Sequence, residues 1–410
     1  MKIAFYFDNR HLGRWNWDSF VAGELPASGT DGQFLGLYHR MSLRGGVEAM
    51  GLFGGGLPDK VPGDAVAVDG LAEAAGRARA GGAALILFNH RDREETERGL
   101  KRCEELGVPA VLWDQNGPFP EARDALAAAG ALRRLVVVSH SHADTLRGHA
   151  LSGKTCVIYN SLLFDSGGEV ARAARAERVC FLGATISQKG FHHLVKAWPA
   201  VRRARPTAEL IVIGSSRLYG VDRPLGPLGL SDPEFESEHV VPHWGPSMTD
   251  LERLGVRLKG LMAPVALRRV LRDCAVAVVN PCVRNGSYET FCVSAIEAQA
   301  AGCAVVGGRR LGLRETVRHG QTGVLIKRES DLAPAIIGLL NDPGRARAMG
   351  AAGSRWVREA FAAERADALW LELFQEVMGG KPNRPPRIKW RLMTPGVALR
   401  MLRGAIQGAR

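Results

Sequence analysis

Two carboxylates stand out in the stretch NGSYETFCVSAIEAQAAGCAVVGG, residues 285–308, where Glu289 and Glu297 sit eight positions apart among small and apolar residues. Asn285-Gly286-Ser287 reads as a turn. From Thr290 the pattern turns helical, with Val293, Ile296 and Ala300 on one side, and Gly302 reads as the stop. This places Glu289 just before a helix and Glu297 about two turns inside it. A helix N-terminus attracts anions through its free N–H groups. A carboxylate accepts hydrogen bonds and donates none, so it suits hydroxyl groups. Phosphates beside several hydroxyls describe a nucleotide sugar. The spacing also fits an acid favoured by the helix dipole plus one solvated surface glutamate, so the rest of the chain has to decide.

Three further segments carry candidates. In FLGATISQKGFHHLVKAW, residues 181–198, a strand ends at Leu182, Gly183 follows, and Lys189-Gly190 opens a helix. A lysine there is a point charge for a phosphate or a plain surface lysine. In GLRETVRHGQTGVLI, residues 312–326, Arg314-Glu315-Thr316 falls at a strand-to-helix transition, and a loop there could approach a base or ribose. In PASGTDGQFLGL, residues 26–37, Gly29 and Gly32 allow close backbone approach at a helix start. The dinucleotide fingerprint G-x-G-x-x-G is absent.

The elements that must position these residues alternate. Candidate strands in the first half are Ile3–Phe7, Ala83–Phe88, Ala110–Trp113, Leu135–Val138 and Cys156–Tyr159, with helix-like stretches at Glu94–Leu106 and Glu121–Ala129. Residues 167–178 are polar, and then the pattern restarts. Val179–Leu182, Leu210–Ile213, Val276–Val279 and Ala304–Val306 read as strands; Phe191–Arg203 and Pro264–Arg272 read as helices. Residues 215–250 give no assignment. A helix starts at Asn341-Asp342-Pro343, and Arg355–Val377 reads as one long helix. Alternating strands and helices give an α/β chain of two Rossmann-like, doubly wound domains. Ligands of such sheets bind beyond the carboxyl ends of the strands, so two facing domains place a site in the cleft between them.

Composition narrows the partners. The 410 residues carry a net charge of +12, which suits anionic partners. Seven cysteines, odd in number and without a C-x-x-C pair, fit a reducing cytosol rather than a disulfide framework. No apolar run of about 18 residues suggests a membrane span, and MKIAFYFDNR reads as a strand rather than a signal peptide. His192-His193 are neighbours on a helix and are expected to point apart, which disfavours a metal pair. His140 and His142 lie in a turn after a strand and are expected to be structural or surface residues.

The segments at 181–214, 256–281, 287–308 and 312–326 resemble, in order, the donor half of the retaining group 1 glycosyltransferases of the GT-B fold. The clearest motif is Glu, seven residues, Glu, here Glu289 to Glu297. The amino half resembles the family more loosely, through its first strand, the glycines near 28–32, LVVVSH at 135–140 and VIYN at 157–160. The resemblance implies domains at 1–168 (acceptor side) and 169–354 (nucleotide-sugar side), a helix at 355–380 returning to the first, and a basic tail at 381–410. It implies catalytic roles for Glu289 and Lys189. A donor site of Gly29, Gly183, Lys189, Glu289, Thr290, Phe291, Cys292 and Glu297 follows from it too, with Lys189 at the diphosphate, Glu289 near the transferred sugar and Glu297 at the ribose.

It also implies no metal and no cofactor beyond the nucleotide-sugar substrate, and a carbohydrate or lipid-linked acceptor in cell-surface polysaccharide or glycolipid synthesis. Two departures stand out: Ala184 replaces the family's second diphosphate cation, an arginine, and the segment VLWDQNGP offers Asp114, Gln115 and Asn116 where many members carry a histidine. They leave a non-catalytic nucleotide-sugar-binding relative, or an epimerase on the same fold, as alternatives. The tail, with eight cations and no acid between 381 and 410, fits contact with an anionic membrane surface or a solvated extension. No nucleic-acid motif accompanies it. The expected setting is cytoplasmic, peripheral at the inner membrane face.

Overall fold

The computed structural model describes residues 1–89, 92–117, 120–164, 175–219, 224–283 and 289–379. The turn at 285–287 and the tail at 381–410 lie outside these. The first sheet holds β1 Lys2–Phe7, β2 Glu48–Phe53, β3 Asp64–Ala67, β4 Leu85–Asn89, β5 Ala110–Asp114, β6 Leu132–Val137 and β7 Thr155–Val157, in the order β3-β2-β1-β4-β5-β6-β7. The second holds β8 Arg175–Leu182, β9 Glu209–Ile213, β10 Val256–Gly260, β11 Cys274–Val279, β12 Ala304–Gly308 and β13 Gly323–Ile326, in the order β10-β9-β8-β11-β12-β13. Every pairing is parallel. Strands covered by helices on both faces need apolar residues on both, and β4, β5 and β11 are buried throughout. These are two doubly wound α/β domains.

Four strands escaped the reading of the sequence. Strands β3, β10 and β13 are edge strands, and β3 and β10 are partly exposed along most of their length, which weakens their apolar signal; β2, beside β3, is buried apart from Glu48, and β13 is a short strand of four residues. Residues 215–250, which gave no assignment, contain short helices such as Val241–Trp244 and Met248–Arg253. Glu236 holds the turn that precedes them. Its buried carboxylate accepts from the backbone N–H groups of Leu228, Leu230 and Ser231, and no periodicity announces such a contact.

The long helix expected at Arg355–Val377 is instead two helices, Pro343–Ala360 and Ala363–Met378. The break falls where Phe361 leaves helical geometry, its ring meeting Tyr159 and Phe291 and its carbonyl accepting from Leu162 N–H at 2.7 Å. The last helix packs on the first domain. Trp370 meets Trp113 with ring centroids 4.8 Å apart, Phe374 meets Phe5, and Asp367 accepts from Arg40 Nε at 2.9 Å. Among the described residues no helix is long and apolar enough to cross a membrane.

Candidate functional site

The carboxyl ends of both sheets open onto one cleft of about 200 Å³. Lys189 enters it from the turn after β8. Gly190 ends that turn at φ 70°, and a Cβ there would lie 2.9 Å from the Cys282 backbone nitrogen, so the position needs glycine. Lys189 Nζ donates to Glu289 Oε2 at 2.8 Å, and Asn280 Nδ2 donates to the same oxygen at 2.9 Å. Asn280 follows β11 directly and itself holds φ 32°. The reading of the sequence missed it; its signal is a polar residue ending an otherwise apolar strand.

Helix Val293–Ala300 begins later than the expected Thr290, which places Glu297 about one turn in rather than two. Residues Thr290–Cys292 form its approach. The Thr290 hydroxyl donates to the Gln115 carbonyl of the other domain, the Phe291 ring packs between Tyr159 and Phe361, and Cys292 takes φ 75° at the helix mouth. A non-glycine residue in that region is strained, at a cost of roughly 1–2 kcal/mol. We expect Cys292→Gly to stay within about 1 kcal/mol of the parent, because relief of strain offsets the greater chain entropy lost by glycine. Cys292→Val, β-branched at the same φ, is expected to cost about 2 kcal/mol or more. Urea unfolding of both variants measures this. A Cys292→Val protein as stable as the parent would refute the strain.

Glu297 lines the same cleft, half-buried. Burial pushes its carboxyl up to about 7, against a smaller opposing pull from Arg268. Gly29 meets this wall from the other domain. It starts helix Gly29–Ser42, whose Ser28 Oγ caps Asp31 N–H, and its missing side chain would lie 3.2 Å from Val293. Gly183, just past β8, lines the cleft with Lys189. All the candidate donor residues therefore meet in one place. The first domain adds Gln115, Asn116 and Asn160. Gln115 and Asn160 bond to each other through both amides, at 3.0 and 2.7 Å.

Other expectations need correction. No residue of 312–326 lines the cleft itself; Gly312 backs the Glu289–Thr290 backbone, and Glu315 turns to the first domain. His192 and His193 do not point apart: their rings lie 3.8 Å from each other, with His239 near His192. Burial, then these two imidazoles, lower His192 to about 4. His142 is buried, and burial lowers its pKa despite Asp114. Ala184 is buried too and brings no charge. Among the described residues lining the cleft, Lys189 is the one cation. The arrangement offers an anion one lysine and a helix mouth, and offers hydroxyl groups two carboxylates.

Residues 176–342 match the family model described as glycosyl transferases group 1. A GDP-mannose-dependent alpha-(1-6)-phosphatidylinositol monomannoside mannosyltransferase of Mycobacterium tuberculosis is 32% identical over 192 residues, 45% of this chain and 44% of that protein. The chain thus matches less than half the length of that relative. An alpha-maltose-1-phosphate synthase of Mycolicibacterium smegmatis is 28% identical over 67% of this chain and 69% of its own. Among solved structures, an Anabaena protein in complex with UDP-glucose aligns with a TM-score of 0.60 at 16% identity, over 92% of this chain and 100% of that one. A glycosyltransferase from Rickettsia africae aligns with a TM-score of 0.64 at 14% identity, over 93% and 99%. The chain has the two-domain fold of the GT-B glycosyltransferases, and its second domain carries the group 1 glycosyltransferase segment.

Proposed function

We propose that this protein is a glycosyltransferase that moves a sugar from a nucleoside diphosphate sugar to a hydroxyl of a carbohydrate or lipid-linked acceptor, with retention at the anomeric carbon. The observation that carries the reading is the meeting of Lys189, Glu289 and Glu297 in one interdomain cleft, within the segment that matches the group 1 model. The names of the relatives, which include lipid-linked mannosyl transfer, support the acceptor class.

In this mechanism the diphosphate lies against Lys189 and the mouth of helix Val293–Ala300, where the first-turn N–H groups have no partner within the helix. Glu297 accepts from the ribose hydroxyls, and Glu289 from hydroxyls of the transferred sugar. The bond from the anomeric carbon to the phosphate oxygen breaks, and positive charge at Lys189 stabilises the oxygen that leaves. The acceptor hydroxyl, held on the side of Gln115, Asn116 and Asn160, forms the new bond on the same face. Its proton passes to the departing phosphate oxygen. Lysine and helix mouth supply the charge, so no metal ion is required.

The test incubates the protein with single nucleotide sugars (uridine, guanosine and adenosine types) and a glycolipid extract, with and without EDTA. The expected result is release of one nucleoside diphosphate, EDTA-insensitive, matched by a product whose anomeric proton coupling equals that of the donor. Turnover of donor without an acceptor, into an isomerised nucleotide sugar, would contradict transfer and support an epimerase. Inversion of the anomer would contradict retention.

A further inference from the structure

Glu315 stands on the second domain, in the short helix Leu313–Thr316. Its carboxylate reaches the first. Oε2 accepts from the backbone N–H of His140 at 2.9 Å and from the Tyr159 hydroxyl at 2.8 Å. Oε1 accepts from the backbone N–H of Ser141 at 2.7 Å and from its hydroxyl. Hydrogen bonds to an ionised acceptor are about twice as strong as neutral ones, and here both oxygens are held in one half-buried place.

A second chain of contacts joins this clasp to the donor site. Gly312, beside the Glu315 helix, donates its N–H to the Glu289 carbonyl at 2.9 Å. A Cβ on Gly312 would lie 2.3 Å from the Thr290 carbonyl oxygen, so the two backbones touch. Thr290 in turn donates to Gln115, whose side chain the amide pair with Asn160 fixes. Residues 289 and 290 are therefore gripped on one side by the Glu315 segment and on the other by the first domain.

From this we infer that Glu315 is a positioning residue: by clasping the first domain at His140, Ser141 and Tyr159 it sets where Glu289 stands relative to the acceptor side of the cleft. The inference rests on the proposed function for its kinetic consequence, and on the apo protein alone for its structural one. Glu315 does not itself line the cleft, and a carboxylate outside it would otherwise only add stability. Misplacing a reacting group by about 1 Å costs on the order of 10²-fold in rate. Apart from Gly29, the proposed donor contacts stand on the second domain, so affinity for the free nucleoside diphosphate is expected to depend little on the clasp.

The experiment compares the full-length parent with Glu315→Ala, Tyr159→Phe and the double variant. Hydrogen exchange of the ligand-free proteins is read first. Glu315→Ala is expected to speed exchange at His140 and Ser141 and also in the segment 289–293, which Glu315 does not touch. Kinetics follow, with whichever nucleotide sugar the parent turns over. The expected result is a kcat lower by about tenfold to a hundredfold, with the Kd for the nucleoside diphosphate changed less than about threefold. Tyr159→Phe is expected to move in the same direction by less, and the double variant to add nothing to Glu315→Ala, since both act on one contact.

Unchanged exchange at 289–293, or a fall in melting temperature with parent-like kcat, would overturn the inference. If Glu315→Ala does not fold, Tyr159→Phe decides by the same exchange and kcat criteria. If the parent turns over no nucleotide sugar, the proposed function fails, and the exchange data still decide the clasp.

Discussion

Lys189→Ala should lower kcat/KM for the donor by about 10²–10³-fold, equivalent to about 2.7–4 kcal/mol of transition-state stabilisation. The size follows from the charge inventory. A donor diphosphate brings two negative charges, and more develops on the leaving oxygen as the glycosidic bond breaks. The family places two cations there, whereas here Ala184 is buried and neutral. Lys189 remains, with the helix mouth worth about half a charge. The lysine's ammonium carries three N–H donors, and its contact with Glu289 at 2.8 Å uses one of them. The expected signature is a larger fall in kcat than in donor affinity. Steady-state kinetics with a melting-temperature control measures it, and a loss under tenfold would mean that charge from elsewhere serves the diphosphate.

Glu297→Gln should make the empty protein more stable at pH 8 while removing its response to nucleotide. Burial holds the Glu297 carboxyl at about 7, above its ordinary 4.5. A carboxyl raised in this way favours the folded state below its unfolded value, and that contribution disappears as pH rises through 7. Ionised Glu297 therefore costs roughly 2–3 kcal/mol at pH 8, discounted for its partial contact with solvent. The glutamine variant is expected to melt about 4–8 °C higher than the parent at pH 8 and no higher at pH 4.

The same strain predicts a proton linkage in binding. Ribose hydroxyls need the carboxylate form, so a bound donor pulls the proton off Glu297. Affinity for a nucleotide sugar, whose diphosphate does not titrate in this range, should rise about tenfold from pH 6 to pH 8. Calorimetry at both values, in two buffers of different ionisation enthalpy, reads the released proton directly. Equal affinities would contradict the contact between Glu297 and the ribose.

Local chemistry made much of this legible. The two domains follow from alternating apolar runs and helices, because buried parallel strands must be apolar on both faces. Glu289 and Lys189 stood out because each lies beside a turn or helix start, and Glu297 because it follows Glu289 by eight positions among small and apolar residues. What escaped depends on distant parts of the chain. Asn280, 9 positions from Glu289, shows in sequence only as a polar residue ending an apolar strand, and its role emerges when the fold closes around the carboxylate. Glu315 looked like a neighbour of the nucleotide because its segment contains glycines and a strand end, yet its partners lie 156 to 175 positions away. The break at Phe361 follows the same rule: helical periodicity continues through it, and the contacts at the break, with Tyr159, Leu162 and Phe291, come from distant parts of the chain.

The central claim is that Lys189, Glu289 and Glu297 form a nucleotide-sugar site. The most direct measurement is a thermal-shift panel of UDP, GDP, ADP and CMP with their sugar conjugates, on the parent and on Glu297→Ala at pH 8. A ligand at a hundredfold excess over its Kd stabilises the fold by about 2.7 kcal/mol. The expected result is a selective upward shift of the parent with one base, largest for its sugar conjugate, and none for Glu297→Ala. A panel that shifts neither protein, or both equally, would contradict it.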